Sequence, residues 1–389
     1  MPFREIRGVP ARTRGRDTGI KFANGELIGR NPVGVNPAFR VGELICDKSA
    51  KEIMLYECKY ATSPLSEDKS LVLKVMARNV DWEPEFAAAK VLTPAKIAAW
   101  ASEARCVNVP VPIYYAFGED LDHKAIHFIV MERMWKDLWT LAETYQPFSV
   151  HTTCSVAFNV LRGLCFLHQH DLAHGDVKPD NIMVAEGDRS LVKLIDFDFV
   201  HSISEQKRAV DMHRRLYLEA AKDKHADKDE LAELKRDIHY SAPCYGDTDC
   251  DFASHCIATG RFTFGMGDVE GLAYTLLWMV DSGALPWTHA KPEEARKMKW
   301  GFLKRGSGKA RWAPIDEFAT MIAKWYVDHE DDGERVPIPM DDLLETVQKG
   351  LDPHGRYEWL AKREREQGAV TRSKSNKKMH LASTSGRRK

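Results

Sequence analysis

The stretch LAHGDVKPDNIMV, residues 172–184, places several polar groups with chemical potential between two apolar runs. Asp176 could accept a proton from a hydroxyl, and Lys178, two residues later, could neutralise a phosphoryl group. Asn181 supplies an amide oxygen of the kind that binds a divalent cation. Phosphoryl transfer requires this combination, because that reaction is catalysed mainly by positioning and charge neutralisation.

Three residues outside the loop extend the set. The run LIDFDFV begins at residue 194. An apolar strand ends there at Asp196, which offers a second metal ligand. Lys74 lies inside an apolar strand, where an unpaired charge is costly to bury, and Glu85 on the following helix is its natural partner. Each residue alone has an ordinary structural explanation, such as a turn cap or a strand end. The ordered set is much harder to explain in that way.

The spacing of the apolar residues predicts the secondary structure. Runs of apolar and β-branched residues predict strands at 39–45, 52–61, 70–77 and 124–132, and a helix is predicted at 82–92. Helical spacing predicts further helices at 156–167, 268–280, 318–326 and 340–351. A strand-rich first part followed by a helix-rich second part indicates an α+β fold with two lobes.

The ordered set Lys74, Glu85, HxDxKxxN and Asp-Phe resembles the eukaryotic protein kinases over residues 39–355. Lys178, two residues after Asp176, is the serine/threonine-type arrangement. Downstream blocks resemble the casein kinase I superfamily: DFASHCIATG (251–260), GDVEGLAY (267–274) and GALPW (283–287). His-Gly-Asp at 174–176 and LTPAKIAAW at 92–100 are similar to the vaccinia-related kinases.

This resemblance implies a bilobal protein-kinase-like fold, with a small antiparallel β N-lobe that carries one helix and a large, mainly helical C-lobe. The implied division is an extension at 1–38, an N-lobe with hinge at 39–134, a C-lobe at 135–355 and a basic tail at 356–389. A charged helical insertion is expected at 205–238, within the activation segment. Both terminal segments are expected to be disordered.

The resemblance also implies roles for individual residues. Asp176 would be the catalytic base, with Lys178 near the γ-phosphate of ATP. Lys74 would contact the other phosphates and pair with Glu85. Asn181 and Asp196 would hold Mg²⁺ or Mn²⁺, and Asp268 would brace the backbone of the catalytic loop. The nucleotide would be bound by Lys74, Ile53, Val72, Met131, Glu132, Met134 and Met183, and at its phosphates by Cys46, Lys48 and Lys51.

Three departures from the kinase pattern leave a second interpretation open. Cys46, Lys48 and Lys51 stand where the family has glycines, whose backbone can approach phosphates closely. Asp198 stands where the family's Asp-Phe-Gly motif has glycine. These two departures favour a pseudokinase that serves as a nucleotide-binding or scaffold module. Gly175 replaces the arginine that usually binds an activation-loop phosphate, so activity is not expected to require such phosphorylation.

Composition limits the partners and the location. The formal net charge of −1 gives the chain as a whole no attraction for nucleic acid, although residues 371–389 carry seven Lys or Arg and no acid. Contact with nucleic acid or chromatin through this tail therefore stays open. No apolar run approaches the ~20 residues of a membrane helix. We expect an intracellular protein, nuclear or cytoplasmic, with no membrane contact and with protein substrates that present Ser or Thr.

Overall fold

The structure of the protein is a computed structural model that describes residues 21–29, 39–48, 52–61, 71–77, 80–106, 109–120, 126–222, 227–237, 251–254, 264–281, 285–288, 290–305, 313–329 and 336–360. The chain divides into two compact units. Unit 1 comprises Met1–Trp82 and Tyr114–Glu132, and unit 2 comprises Glu83–Ile113 and Arg133–Lys389.

Unit 1 is built on one antiparallel sheet with the strand order β1-β2-β3-β4-β6-β5. Its strands are β1 Leu27–Ile28, β2 Phe39–Lys48, β3 Ile53–Tyr60, β4 Leu71–Met76, β5 Tyr114–Asp120 and β6 Ile126–Glu132. Alternate residues face one side and form the core, as Leu71, Leu73 and Val75 do in β4. The hydrophobic core of unit 1 therefore lies on one face of this sheet.

Unit 2 is mainly helical. Its helices are α1 Glu83–Val91, α2 Pro94–Glu103, α3 Leu138–Tyr145, α4 Val150–Gln169, α5 Ile203–Ala220, α6 Lys228–Asp237, α7 Met266–Val280, α8 Pro292–Arg305, α9 Ala313–Asp328 and α10 Met340–Gln348. Two small sheets join them, ordered β10-β9-β7 and β11-β8. Their strands are β7 Met134–Asp137, β8 Leu172–Ala173, β9 Ile182–Ala185, β10 Val192–Leu194 and β11 His201–Ser202.

The strands and helices predicted from the periodicity are present. The segment at 268–280, apolar nearly all round, is α7, and every one of its residues is buried. A helix with no polar stripe has no face to offer to water, so it occupies the centre of unit 2. Among the described residues, α4 is the one helix long and apolar enough to cross a membrane. However, 61% of its most apolar 18-residue stretch is buried inside the protein.

The ends of the packed structure differ from the division implied by the resemblance. Leu27 and Ile28, assigned to the extension at 1–38, pair with Arg40 and Phe39 as a strand. At the other end, Trp359 is 3% exposed and its indole N–H donates to the Arg189 carbonyl at 3.0 Å. Ordered packing thus extends at both ends beyond the boundaries at 39 and 355.

The helices at 83–103 also differ from the expected division, which placed them in the N-lobe at 39–134. In the structure they group with unit 2. Trp100 of α2 explains part of this, because its ring packs edge-on against Phe166 of α4, with centroids 5.6 Å apart. Its indole N–H donates to the side-chain oxygen of Gln169 at the end of the same helix.

The charged segment at 205–238 contains α5 and α6, and Asp171 anchors its start. Asp171 accepts hydrogen bonds from the Ser204 N–H at 2.7 Å and from the hydroxyls of Ser202 and Ser204 at 2.6 Å. Burial by itself raises the pKa of Asp171, but these hydrogen bonds and the charge of Arg208 lower that pKa below its ordinary value. The carboxylate therefore fixes the first turn of α5 to the end of α4.

Gly271 of α7 packs directly against the backbone of the catalytic loop. A Cβ at this position would lie 2.8 Å from the Val177 carbonyl oxygen and 3.3 Å from that of Phe252. Alanine favours an exposed helix by about 1 kcal/mol over glycine, yet overpacking costs about 1–3 kcal/mol. We predict that Gly271→Ala lowers the melting temperature by several degrees.

The matched control for this prediction is Gly187→Ala, because a Cβ at Gly187 would meet no atom within 4 Å. Thermal unfolding of the two variants and the wild type, followed by circular dichroism, makes the comparison. A Gly271→Ala protein that melts at or above the wild-type temperature would contradict the close approach.

Candidate active site

Asp268, in the first turn of α7, holds the start of the catalytic loop. Its Oδ2 accepts the backbone N–H of His174 at 2.8 Å, and its Oδ1 accepts that of Gly175 at 2.7 Å. The Nε2–H of His168, near the end of α4, donates to Oδ2 at 2.9 Å. The side chain of Asp268 is 1% exposed. Two helices and the loop are thus joined through one buried carboxylate.

Three donors keep this carboxylate ionised. Burial raises the pKa of Asp268, but the hydrogen bond and charge of His168, followed by His174 and the Gly175 N–H, outweigh it, so the pKa lies below its ordinary value. A buried carboxylate without such donors would take up a proton instead. The charge at this point is therefore a stable part of the fold near neutral pH.

The catalytic loop brings together the three polar residues predicted to do the chemistry. The side-chain amide of Asn181 donates to the Oδ2 of Asp176 and to its backbone carbonyl, both at 2.8 Å. The ammonium of Lys178 lies 2.8 Å from the same Oδ2. The two partners of this ion pair are partly exposed, at 23% for Lys178 and 24% for Asp176. A proton-accepting group, a cation and an amide thus form one cluster open to solvent.

The imidazole of His174 supports this cluster through two hydrogen bonds to the backbone. Its Nδ1 accepts the N–H of Asp176 at 3.2 Å, which leaves Nε2 to donate to the Ile195 carbonyl at 2.9 Å. Because one ring nitrogen accepts and the other donates, Nε2 carries the donated proton. His174 is fully buried and ties the loop to the segment that precedes Asp196.

Lys178 remains charged in this setting. Burial lowers the pKa of Lys178, but the attraction of Asp176, together with that of Asp180 and Asp196, outweighs the effect and raises the pKa above its ordinary value. The lysine therefore carries a positive charge into the cluster at any physiological pH.

Gly175 is required by the backbone, which the sequence did not reveal. The sequence shows the residue only as a missing arginine. In the structure its φ is 81°, and a Cβ there would lie 2.5 Å from the Phe199 carbonyl oxygen. An arginine could not occupy this position unless the segment around Phe199 moved. The absence of an arginine at position 175 and the close packing of the Phe199 segment therefore go together, because that packing leaves no room for a side chain.

The two predicted metal ligands are Asn181 and Asp196, and the backbone segments that carry them are hydrogen-bonded to each other. The N–H of Ile195 donates to the Asn181 carbonyl at 2.8 Å, and Asp196 follows directly with a φ of 65°. The amide nitrogen of Asn181 is used by Asp176, so its side-chain oxygen is the atom left for a cation. Amide and carboxylate oxygens are hard ligands that suit Mg²⁺. These two residues therefore fit a magnesium ion.

A larger set of protein ligands is not found nearby. In the part of the chain that the structure describes, no group of three His, Cys, Asp or Glu side chains converges as a metal site. Mg²⁺ commonly binds through one or two protein ligands and completes its shell with water and substrate phosphates. The pair formed by Asn181 and Asp196 matches that mode of binding.

Within unit 1, the register of the sheet brings most of the predicted nucleotide-binding residues to one face. Directly paired residues share a face, and the pairs are Lys48 with Ile53, Cys46 with Leu55, Lys74 with Leu55, and Val72 with Met131. Successive pairs two residues apart keep that face. The hydrophobic core lies on the other face, so the predicted residues form a second surface of the sheet.

Other predicted residues lie elsewhere. Glu132 pairs with Leu71 and so belongs to the core side at the end of β6. Met134 begins β7 and Met183 lies in β9, both in unit 2. Glu85 is 1% exposed in α1, and its pairing with Lys74 stays a prediction. Lys51 lies outside the described residues.

Comparison with known proteins shows what this chain is similar to. The model of the protein kinase domain matches residues 88–219, which include the catalytic loop and Asp196. Over these residues the chain is similar to the protein kinases. The kinase homologue casein kinase I homolog 3 of Saccharomyces cerevisiae is 23% identical over 373 residues, or 88% of this chain and 62% of that protein. Serine/threonine-protein kinase VRK3 of Bos taurus is 25% identical over 307 residues, 72% of this chain and 61% of that protein.

The solved structure of vaccinia related kinase 3 shares the fold of this chain, with a TM-score of 0.62 at 17% identity. The match covers 85% of this chain and 92% of the solved one. This chain spans about three fifths of the length of the two curated relatives above, 62% and 61%. The bilobal α+β fold expected from the sequence is confirmed, and so is the relation to casein kinase I and vaccinia-related kinases.

Two residues that support the loop of this chain were not indicated by the sequence. His168 is 100 residues from Asp268 in the chain, and Asp171 contacts Ser202 and Ser204 more than thirty residues away. No local pattern marks either residue as special, because both contacts depend on how distant segments pack. The run HQHD at 168–171 is polar and follows an apolar helix. This change from apolar to polar residues is the feature of the sequence that could have drawn attention to His168 and Asp171.

We predict a specific pH dependence for Asp268→Asn. The asparagine cannot accept bonds from all three donors, and a buried donor left unpaired costs about 1–3 kcal/mol. The ordinary pKa is 3.8 and the folded pKa lies below it. The stabilisation by the carboxylate is therefore fully present above about pH 4 and is lost as the pH falls through the folded pKa. The gap in melting temperature between wild type and variant should be constant from pH 8 to 5 and narrow only in more acidic buffers.

Thermal unfolding across this pH series measures the gap, with Asp328→Asn, an exposed aspartate at the end of α9, as the control that should show little gap. A gap that already closes between pH 7 and 5, or no gap at all, would show that Asp268 does not brace the loop as an anion.

Proposed function

We propose that this chain is an ATP- and Mg²⁺-dependent serine/threonine protein kinase. The observation that supports this most directly is the cluster of Asp176, Lys178 and Asn181, held together by bonds of 2.8 Å. The cluster is mounted on the buried carboxylate of Asp268. Its members are the base, the cation and the metal-binding amide that phosphoryl transfer needs. The relatives named above are themselves serine/threonine kinases or kinase homologues by name.

In the proposed reaction, Asp176 accepts the proton of a substrate Ser or Thr hydroxyl. Both Asn181 and Lys178 use its Oδ2, so Oδ1 is the oxygen left for that proton. The hydroxyl oxygen forms a bond to the γ-phosphorus as the bond to the β-phosphate oxygen breaks, and ADP leaves. Lys178 is positioned to neutralise charge on the transferring group. Mg²⁺, held by Asn181 and Asp196, would neutralise the phosphates.

The remaining parts of the proposal rest on the resemblance and on the register of unit 1. Lys74 would bind the α- and β-phosphates, and Ile53, Val72 and Met131 would contact the adenine from the surface they share. The protein partners would present Ser or Thr. The proposal also includes a nuclear or cytoplasmic location and contact of the basic tail with nucleic acid.

A second candidate function, a nucleotide-binding pseudokinase, is favoured by one observation in unit 1. β2 continues to Lys48, and Cys46 and Lys48 are paired strand residues opposite Leu55 and Ile53. A strand with side chains here replaces the glycine backbone that approaches phosphates in the family. Asp198, in place of the family's glycine, points the same way. This candidate predicts nucleotide binding without transfer.

We predict that Asp176→Asn reduces phosphoryl transfer roughly 100- to 10,000-fold, the usual contribution of a general base. The measurement is transfer of radiolabelled phosphate from ATP to casein and to a basic protein, with Mg²⁺ or Mn²⁺. Glu186→Gln, which removes an exposed acid just after β9, is the control and should retain most of the activity. Equally low transfer by wild type and Asp176→Asn would reject the kinase and leave the pseudokinase.

A second prediction concerns the replaced glycines. Lys48→Gln should reduce the rise in melting temperature that ATP with Mg²⁺ produces and leave the rise with adenosine unchanged, because adenosine has no phosphates. A ligand at 100 times its Kd stabilises by about 2.7 kcal/mol, which is a readily measured shift. Lys59→Gln, exposed at the other end of the paired strand β3, is the control. If Lys48→Gln changes both shifts equally or neither, Lys48 does not contact the phosphates.

A further inference from the structure

The stretch DFAS at 251–254 begins one of the blocks that resemble the casein kinase I superfamily, and a buried lysine from later in the chain holds its backbone. Lys299 of α8 has no exposed surface, although an ammonium is costly to bury unless polar groups surround it. Its Nζ donates to the Ala253 carbonyl at 2.6 Å. The segment at 251–254 is therefore tied to α8, 46 residues further along the chain.

Aromatic rings also lie beside this ammonium. The Nζ of Lys299 is 5.3 Å from the ring centroid of Tyr274 in α7 and 5.5 Å from that of Trp287. A cation is attracted by an aromatic face, most strongly where water is excluded. A neutral side chain of similar length would fill the same space, but it would neither donate to Ala253 nor be attracted by the rings. A substitution can therefore remove the charge at position 299 without removing the packing.

Trp287 holds the same segment through a second carbonyl. Its ring is fully buried, and its indole N–H donates to the Asp251 carbonyl at 2.7 Å. Between the two anchored carbonyls, Phe252 is 3% exposed and packs edge-on against Trp278 of α7, with ring centroids 5.9 Å apart. The segment is thus fixed in two ways, by hydrogen bonds from Trp287 and Lys299 and by packing on α7.

The held segment borders the catalytic loop. A Cβ at Gly271 would lie 2.8 Å from the Val177 carbonyl oxygen and 3.3 Å from that of Phe252, so the two backbones meet at one point of α7. Val177 is the residue between Asp176 and Lys178. A protein that presents a hydroxyl to Asp176 continues on either side of that hydroxyl, past the backbone that borders the loop. The position of the segment therefore affects how a protein substrate lies, whereas none of the predicted nucleotide contacts belongs to it.

We propose that Lys299 is a positioning residue for the protein substrate. Its ammonium keeps the segment at 251–254 against the catalytic loop, and the segment forms a fixed surface for the substrate residues next to the reacting Ser or Thr. This inference rests on the proposed function, because it requires a protein substrate. Lys299 is fully buried, so it acts through the backbone of Ala253 and touches no substrate itself.

The test compares Lys299→Met with Lys297→Met, which replaces an exposed lysine on the same helix, in the full-length chain. For transfer of phosphate from ATP to casein with Mg²⁺, Lys299→Met should raise the KM for casein about tenfold, the lower end of what a hydrogen bond to a charged group contributes. The kcat and the KM for ATP should change less than twofold, and Lys297→Met should match the wild type. A general loss of stability would instead lower kcat, through the active fraction, and leave both KM values unchanged.

Amide hydrogen exchange, followed by mass spectrometry, reports on the segment without any catalysis. The peptide that covers 251–254 should exchange faster in Lys299→Met than in the wild type and in Lys297→Met, with no change in α7. Trp287→Phe keeps an aromatic ring but removes the N–H that donates to Asp251. It should give the same exchange pattern and raise the KM for casein about threefold, as expected for a neutral hydrogen bond, and it replaces Lys299→Met if that variant does not fold.

The outcomes separate this inference from the proposed function. With an active wild type, the role of Lys299 is overturned if exchange at 251–254 is unchanged, if the KM for casein is unchanged, or if kcat alone falls. A wild type that transfers no phosphate would reject the proposed function and the substrate role together. Faster exchange in Lys299→Met would then leave Lys299 as a support of the fold.

Discussion

The buried charge of Asp268 is the constraint on which the catalytic loop depends. An isolated carboxylate inside a protein costs many kcal/mol, and it stays charged here because the N–H groups of His174 and Gly175 and the ring of His168 all donate to it. These donors come from α4 and from the loop, and the acceptor comes from α7. The loop therefore cannot shift relative to either helix without exposing an unpaired charge, which gives Asp176 a fixed support.

The backbone near this carboxylate is closely packed at two glycines. Gly175 has no room for a side chain beside Phe199, and Gly271 has none beside Val177. His174 joins the loop to Ile195, which brings Asn181 and Asp196 together. The supporting shell is thus closely packed, while the cluster of Asp176 and Lys178 is partly exposed. In the proposed reaction, this rigid, buried support would hold Asp176 in position for a substrate hydroxyl.

The sequence predicted a large part of this arrangement, and the reason is that the informative patterns are local. Asp176, Lys178 and Asn181 lie on one short loop, so their proximity follows from chain connectivity alone. The apolar run at 70–77 predicted the strand that carries Val72 and Lys74. The fully apolar run of α7 predicted a central helix. The ends of the packed chain were missed, since Leu27 and Trp359 lie in segments whose composition is typical of tails.

By itself, then, the sequence determined the fold class, the order of the elements and the identity of the reactive groups, because period, spacing and residue type are properties of short segments. Only the tertiary structure decided which distant residues support those groups. The bond from His168 to Asp268 and the requirement for glycine at position 175 both arise where segments far apart in the chain pack together. Such contacts depend on angstrom-scale packing, which no local pattern of residues records.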